Sequence, residues 1–474
     1  MMKNTIKLLG IALITGLLLA GCYVPVNDGV GSVGIKLPDA SSTGEASDQE
    51  IARIYLLNEI ALVTIGETTP YKVVEIEQAD NEVSIGPVPS GPGYQIILVL
   101  GNDAADPVAG GDATIFVPEL YAVSDQFAVI AGQATLKELV PVTSPFGLVP
   151  VVFGENLKGI VNVQRGPTIP DDFLFYTASA GEAIELAHDL SATVRAALPD
   201  GEEAIGMGMG ALVTEPTYGV PWVNTTKGIL PYLGGTSLEL GFRTDYPSDF
   251  PPVLDSGAFL SGGDLFGWFQ VDGGLGGVYD NEVGAKQWVA DIDLSTFISG
   301  QPISDLVVDS STGGIDGYFA SKLGAFKAPE RILTENINTV QGILEASSFF
   351  EVAIDDEEAT ITELALVDTE LYLGTNRGVV SVLKADLDLD SIPTSDVVTE
   401  SIGRTVQDMA IGANYHAILT DHFLIVSSDG GPYSLLPIYA GIVTAPTGLF
   451  LDDSTGVVLI AGETGIASVD IDGP

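Results

Sequence analysis

Leu364-Ala365-Leu366, followed by Leu371-Tyr372-Leu373-Gly374-Thr375-Asn376-Arg377-Gly378-Val379-Val380-Ser381-Val382-Leu383, reads as two short apolar strands, a tight turn ending in glycine and a third strand. Weaker copies of this unit recur through two thirds of the chain. Aligning on the turn selects Gly181, Gly235, Gly276, Gly324, Gly378, Gly431 and Gly465, with separations of 54, 41, 48, 54, 53 and 34 residues. First-strand cores at Leu306-Val307-Val308, Met409-Ala410-Ile411 and Leu449-Phe450-Leu451 agree with Leu364-Ala365-Leu366. Residues 187–230 fit the repeat poorly. Repeats of about 40 to 50 residues carrying four short strands are the signature of a β-propeller, whose blades each pack only on their neighbours.

Composition agrees with that reading. Of 474 residues, 46% are apolar and 17% charged, so there is ample material for buried cores and no case for global disorder. The length favours more than one domain. With 56 glycines and 27 prolines, turns are frequent, and β-branched runs outnumber stretches of helical periodicity. The fold class expected is all-β, a small β-sandwich followed by a roughly seven-bladed β-propeller. A transmembrane barrel fits less well, because barrel strands run to about ten residues of alternating polarity with aromatic girdles, whereas these are shorter and continuously apolar.

The 18 basic against 64 acidic residues give a formal charge of −46. Such a surface repels nucleic-acid phosphates and anionic head groups, so neither is an expected partner of the folded part. It attracts cations and basic partners, and it also simply keeps a protein soluble.

The single cysteine is explained by its neighbours. Lys3 and Lys7 precede an apolar run at residues 8–18, and Leu19-Ala20-Gly21-Cys22 follows. This segment resembles the signal and lipobox of bacterial lipoproteins. The resemblance implies diacylglycerol modification of the Cys22 thiol, cleavage before it, acylation of the new amino group and therefore a membrane partner through the lipid anchor. Two or three acyl chains anchor stably where one is marginal. Tyr23, in place of aspartate, implies the outer membrane, on its periplasmic or surface face, rather than the inner one. The organisation expected is a signal peptide at 1–21, anchor and tether at 22–32, sandwich at 33–142, linker at 143–150 and propeller at 151–474.

Strand candidates at 51–57, 71–76, 83–85, 94–100, 127–130 and 134–142 are the right number for one sandwich. The turn Val88-Pro89-Ser90-Gly91-Pro92-Gly93-Tyr94 between two of them resembles prealbumin-like and carboxypeptidase-regulatory-like sandwich modules, which implies a spacer. Upstream, Gly29-Val30-Gly31-Ser32-Val33-Gly34 matches the dinucleotide-binding pattern, but neither the preceding strand nor the following helix is there, so it does not read as a nucleotide site. The core Leu371-Tyr372-Leu373-Gly374-Thr375-x-x-Gly378-Val379 resembles bacterial propeller families of the pyrroloquinoline-quinone and sensor-regulator kinds. No tryptophan recurs at a fixed blade position, and the Gly-His and Trp-Asp signatures are missing. The chain ends after a third strand, so residues 149–153 or 159–163 are expected to supply the outer strand of the last blade and close the ring.

Candidate chemistry is sparse. His188, His416 and His422 are the only histidines, Asp421 adjoins His422, and no serine can be nominated to complete a triad. Asp386, Asp388 and Asp390 alternate, which on a strand puts three carboxylates on one face and would admit calcium. A helix-loop-helix calcium loop is excluded, since Ser391 and Val397 stand where glycine and glutamate are needed. Asp305, Glu363 and Asp408 each directly precede a first-strand core and would form a negative ring at one mouth of a central channel. No other cofactor is indicated. The function expected is a non-catalytic, lipid-anchored envelope protein whose propeller binds or scaffolds an envelope protein or glycan. The alternatives are a propeller-type glycan hydrolase or lyase, using paired carboxylates, and a surface-layer or adhesion component.

Overall fold

The computed structural model describes residues 29–36, 51–58, 72–77, 82–105, 114–143, 146–152, 154–164, 173–187, 189–191, 193–212, 215–233, 239–240, 244–245, 253–261, 264–271, 274–280, 286–292, 303–309, 316–321, 324–328, 349–350, 353–354, 357–384, 398–420, 423–428, 430–437, 443 and 445–472. Regular structure among them is almost entirely β, and no helix among them is long and apolar enough to cross a membrane. The chain divides into two compact units, residues 1–100 with 120–142, and residues 101–119 with 143–474.

In the first unit, Val30–Lys36 pairs antiparallel with Glu82–Pro89 and parallel with Ala134–Glu138. A second sheet runs in the order Lys72–Glu77, Ile51–Asn58, Gly91–Ala105, Thr114–Val123 and Val142–Thr143, with Phe127–Val129 added to Gly91–Ala105. Because side chains alternate along a strand, each sheet has an apolar inner face. Val33, Ile35, Val83, Ile85 and Val88 from one sheet and Ala52, Ile54, Leu56, Tyr94, Ile96 and Leu98 from the other are buried in a single core. The result is a β-sandwich. Its Pro-Gly turn is locked by the Tyr94 hydroxyl, which donates to the Pro89 carbonyl at 2.8 Å, with Gly93 at φ 82°.

The second unit is a propeller of seven sheets. The first strands of blades 1 to 7 are Leu157–Gln164, Ala204–Leu212, Val253–Ser261, Ile303–Asp309, Ile361–Val367, Val406–Ile411 and Pro446–Asp452. Each pairs antiparallel with the strand that follows it, and third and fourth strands are added outward in six of the seven blades, three strands being described in blade 5. Blades 2 and 3 are joined through their first strands, where Gly210-Ala211-Leu212 runs parallel to Ala258-Phe259-Leu260. Every one of the seven first strands carries a register shift near its start, between Leu157/Ile160, Ala204/Gly206, Val253/Asp255, Ile303/Asp305, Ile361/Glu363, Val406/Asp408 and Pro446/Gly448. A bulge at a fixed place bends the strand and re-aims the residue after it.

Three sequence-based expectations need correction. The turn between second and third strands in blade 2 is Thr225–Gly228, not the glycine pair at 234–235, and the strands Thr193–Ala197, Ala204–Leu212, Glu215–Thr225 and Gly228–Leu233 place the described part of residues 187–230 in blades 1 and 2. In blade 6 that turn joins Tyr415–Thr420 to Phe423–Ser428, so Gly431 belongs to the next turn outward. Measured at Glu182, Gly228, Gly274, Gly324, Gly378, Phe423 and Gly465, the spacing becomes 46, 46, 50, 54, 45 and 42 residues. The strand that completes the last blade is Phe146–Leu148, paired antiparallel with Gly465–Asp470. It lies just upstream of the two stretches expected for it; residues 159–163 instead form part of the first strand of blade 1. Phe146 is buried where it completes the sheet, which explains why this short apolar piece closes the ring.

Candidate functional site

The bulge decides what the first-strand acids do. Asp305, Glu363 and Asp408 are each the residue just after it, in blades 4, 5 and 6. The Asp305 carboxylate accepts the Leu364 N–H of blade 5 at 2.6 Å, and the Asp408 carboxylate accepts the Leu449 N–H of blade 7 at 2.6 Å. One residue earlier, Thr362 donates its hydroxyl to the Val406 carbonyl of blade 6, and Thr447 donates to the Leu157 carbonyl of blade 1, both at 2.9 Å. Blades 4, 5, 6 and 7 are thus each stapled to the next blade round the ring by a side chain emerging from the same kink. At the seam between blades 7 and 1 the acid is replaced by Gly448. A Cβ there would come within 3.1 Å of Gly159 Cα and Ile160 N, closer than ordinary van der Waals contact, so a larger residue would have to push the two backbones apart by a few tenths of an ångström.

Cys22, His188, His422, Asp386, Asp388 and Asp390 lie outside the described residues. Among the described residues no group of three or more histidine, cysteine, aspartate or glutamate side chains is placed to hold a metal ion.

His416 sits in the second strand of blade 6, and its neighbours form a polar-aromatic cluster. Its Nδ1 lies 2.7 Å from the Tyr433 hydroxyl, and its ring meets Tyr372 of blade 5 edge-on, with centroids 5.6 Å apart and planes at 72°. The His416 and Tyr433 rings are 5.8 Å apart. All three side chains are half-buried. Burial holds the imidazole below its ordinary range, against the pull of Asp453 and Glu370 and of a hydrogen bond with the Gly412 backbone. Burial, reinforced by the negative charges of Glu400 and Glu370, pushes the Tyr433 phenol up to about 12. At neutral pH both groups are therefore uncharged, and the imidazole tautomer sets which of the two donates the hydrogen bond between them.

The loop leading into His416 is fixed from a third blade. The Asp453 carboxylate of blade 7 accepts the N–H groups of Ala413, Asn414 and Tyr415 at 3.0, 2.9 and 2.8 Å, and the Asn414 amide donates to the Asp453 carbonyl at 3.1 Å. A Cβ on Gly412 would lie 1.9 Å from the Asp453 carboxylate. Chemically the cluster offers aromatic edges and faces, hydroxyl and imidazole hydrogen bonding and nearby negative charge, while Ser427, in register with His416 on the next strand, donates its hydroxyl to the Gly431 carbonyl. Tyr372 lies within the opening sequence stretch, and His416 is one of the three histidines of the sequence. Nothing in their separation of 44 residues, nor in Tyr433, signals that they meet; that follows only once the blade register is known.

No protein-family model and no curated protein matches the sequence. Among solved structures, the chain is similar to the extracellular domain of BT4673 from B. thetaiotaomicron, described as a one-component system, at 13% identity and TM-score 0.45, covering 68% of this chain and 39% of that one. It is similar to YCF48 from Cyanidioschyzon merolae at 12% identity and TM-score 0.47, covering 69% of this chain and 98% of that one. PorZ of Porphyromonas gingivalis, a surface component of the type-IX secretion system, is similar at 13% identity and TM-score 0.45, covering 84% and 60%. At scores below 0.5 the propeller rests on its strand pairing, not on these likenesses.

Proposed function

We infer that this is a lipid-anchored cell-envelope protein, acylated on Cys22 and carried on the outer membrane, whose sandwich is a spacer and whose propeller is a non-catalytic binding module. The Tyr372, His416 and Tyr433 cluster is its contact site, and a neutral, hydroxyl-rich envelope glycan is the ligand that fits it. The observation that carries this reading is the cluster itself. Aromatic rings offer C–H faces to a sugar, while a phenol, a neutral imidazole and flanking carboxylates offer hydrogen-bond partners to its hydroxyls. The negative surroundings disfavour an anionic polysaccharide. A hydrolase would need two freely positioned carboxylates across a scissile bond, whereas Asp305 and Asp408 each hold a neighbouring blade through a backbone amide.

The test is titration of the purified chain with neutral and acidic envelope glycans, with and without calcium to probe Asp386, Asp388 and Asp390. Replacing Tyr433 by alanine should weaken neutral-glycan binding about tenfold, the size of one or two lost hydrogen bonds and a ring contact. Unchanged affinity in a variant with an unchanged melting profile would remove the site.

A further inference from the structure

The end of the sandwich from which the tether leaves is unlike the rest of this acidic protein. Gly29 and Val30 begin the first strand of the sandwich. Val30 pairs with Pro89, the Gly132 N–H donates to the Val30 carbonyl at 2.8 Å, and the Ser90 N–H donates to the Gly29 carbonyl at 2.9 Å. Gly91 pairs with Val129, which brings the turn 130–133 to the same end. Three chain segments therefore converge there: 29–31, 89–93 and 129–133. Val30 and Ile130 are 54% and 53% exposed, and Pro89 and Pro92 are exposed as well.

No aspartate, glutamate, lysine or arginine occurs in residues 29–35, 83–101 or 127–136, in a chain of formal charge −46. On these strands Lys36, in register with both Glu82 and Glu138, stands at the opposite end, and Lys137 beside it reaches back to lay its ammonium 4.6 Å from the centre of the Phe127 ring. Six residues, Tyr23 to Asp28, separate Cys22 from Gly29. Fully extended, that segment reaches at most about 25 Å. A membrane-inserted Cys22 therefore keeps this end close to the lipid surface.

We propose that the uncharged end of the sandwich, formed by Val30, Pro89, Pro92 and Ile130, is a membrane-seating surface that rests in the head-group region of the bilayer holding the anchor. This rests on the reading that Cys22 is acylated. Exposed aliphatic side chains at a head-group boundary gain apolar burial. With Asp28 of the tether the one carboxylate next to these three segments in sequence, this end feels less of the repulsion that the rest of the surface would feel from anionic lipid. The lipid chains supply the affinity, and the seat fixes how the sandwich meets the bilayer.

The experiment uses the full, processed chain in vesicles of phosphatidylethanolamine and phosphatidylcholine. Mass spectrometry of the N-terminal peptide first establishes whether Cys22 is acylated. With Cys22 blocked by lipid, Ile130→Cys or Pro92→Cys provides a single thiol for an environment-sensitive fluorophore, and Glu138→Cys provides the control about 13 Å or more along the strand. Nitroxide lipids labelled near the head group should quench the probe at 130 and at 92 at least about twofold more than the probe at 138, with no loss in high salt, since no charge is involved. All three positions are exposed, and melting curves equal to the parent's verify the fold. Acylated protein with equal quenching at 130 and 138 overturns the seat and leaves the anchor standing. An unmodified Cys22 overturns both.

Discussion

Thr375 is fully buried in the turn of the stretch that reveals the repeat, and its hydroxyl ties that turn together. It donates to the Gly378 carbonyl at 2.8 Å and accepts the Arg377 N–H at 3.0 Å. Thr225 and Thr420 do the same in blades 2 and 6, reaching the carbonyls of Gly228 and Phe423, both at 2.9 Å. Thr375→Val keeps the shape and strands a buried carbonyl and amide, so urea denaturation should show a loss of about 1 to 3 kcal/mol. His416 makes a different prediction. Burial lowers its folded-state pKa below the ordinary 6.5. Between the two values the unfolded chain binds more protons than the folded one, so stability should fall as pH drops below about 6.5 and level off once the folded imidazole also protonates. Unfolding midpoints of the parent and His416→Gln between pH 5 and 7.5 should converge toward acid if this is right. Parallel curves would mean that burial does not govern this imidazole.

At the scale of strands and blades, Asp408 links blade 6 to a backbone amide 41 residues away. Asp408→Ala removes a charge-assisted hydrogen bond and strands the Leu449 amide, for a loss of about 1.5 to 3 kcal/mol. Asp408→Asn keeps an acceptor and should lose less than half of that. Equal losses in the two variants, measured by denaturant titration, would mean that the carboxylate acts through its charge alone. The recurrence of an acid before the strand cores of blades 4, 5 and 6 is legible in the sequence, because it is local; the partners of Asp305 and Asp408 are not, because they belong to the next blade. The same asymmetry explains the misplaced turns. Glycine ends this turn in blade 5, yet in blade 6 the turn between second and third strands has Thr420 at its start and Phe423 at its end, with no glycine between. Threonine at the first turn position would have placed blades 2 and 6 correctly, since a buried hydroxyl can bond both the amide and the carbonyl that a tight turn leaves open. The Tyr372, His416 and Tyr433 cluster was invisible for a further reason: it joins two blades and is fixed from a third, so no single repeat contains it.

The molecule as a whole depends on where its ring closes. A propeller blade packs on its neighbours, so an open seam would leave a first and a last sheet each with an uncovered face and an unpaired edge. Here the seam is closed twice. Phe146, Gly147 and Leu148 pair with Val469, Ser468 and Ala467, and the Thr447 hydroxyl reaches the Leu157 carbonyl across the junction of blades 7 and 1. Val149, Val152, Leu157, Phe175 and Ile184 share one core with Leu459, Ala461 and Ile466, so residues more than 270 positions apart are buried together. A covalent link tests this directly. A Cβ placed on Gly147 would lie 3.9 Å from the Ser468 Cβ, inside the range of about 3.5 to 4.5 Å that a disulfide requires. Gly147→Cys with Ser468→Cys should therefore oxidise in the folded protein and constrain a loop of more than 300 residues. The chain-entropy model puts the ceiling for so long a loop at about 6 kcal/mol, with about 2 to 4 kcal/mol the usual yield. The oxidised form should unfold at higher urea concentration than the same protein in reductant, and deleting residues 146–148 should abolish the cooperative transition of the propeller and let the bared edge of Gly465–Asp470 drive association seen by size-exclusion chromatography. Thiols that stay reduced in the folded protein, together with a deletion that leaves the transition intact, would place the closure elsewhere.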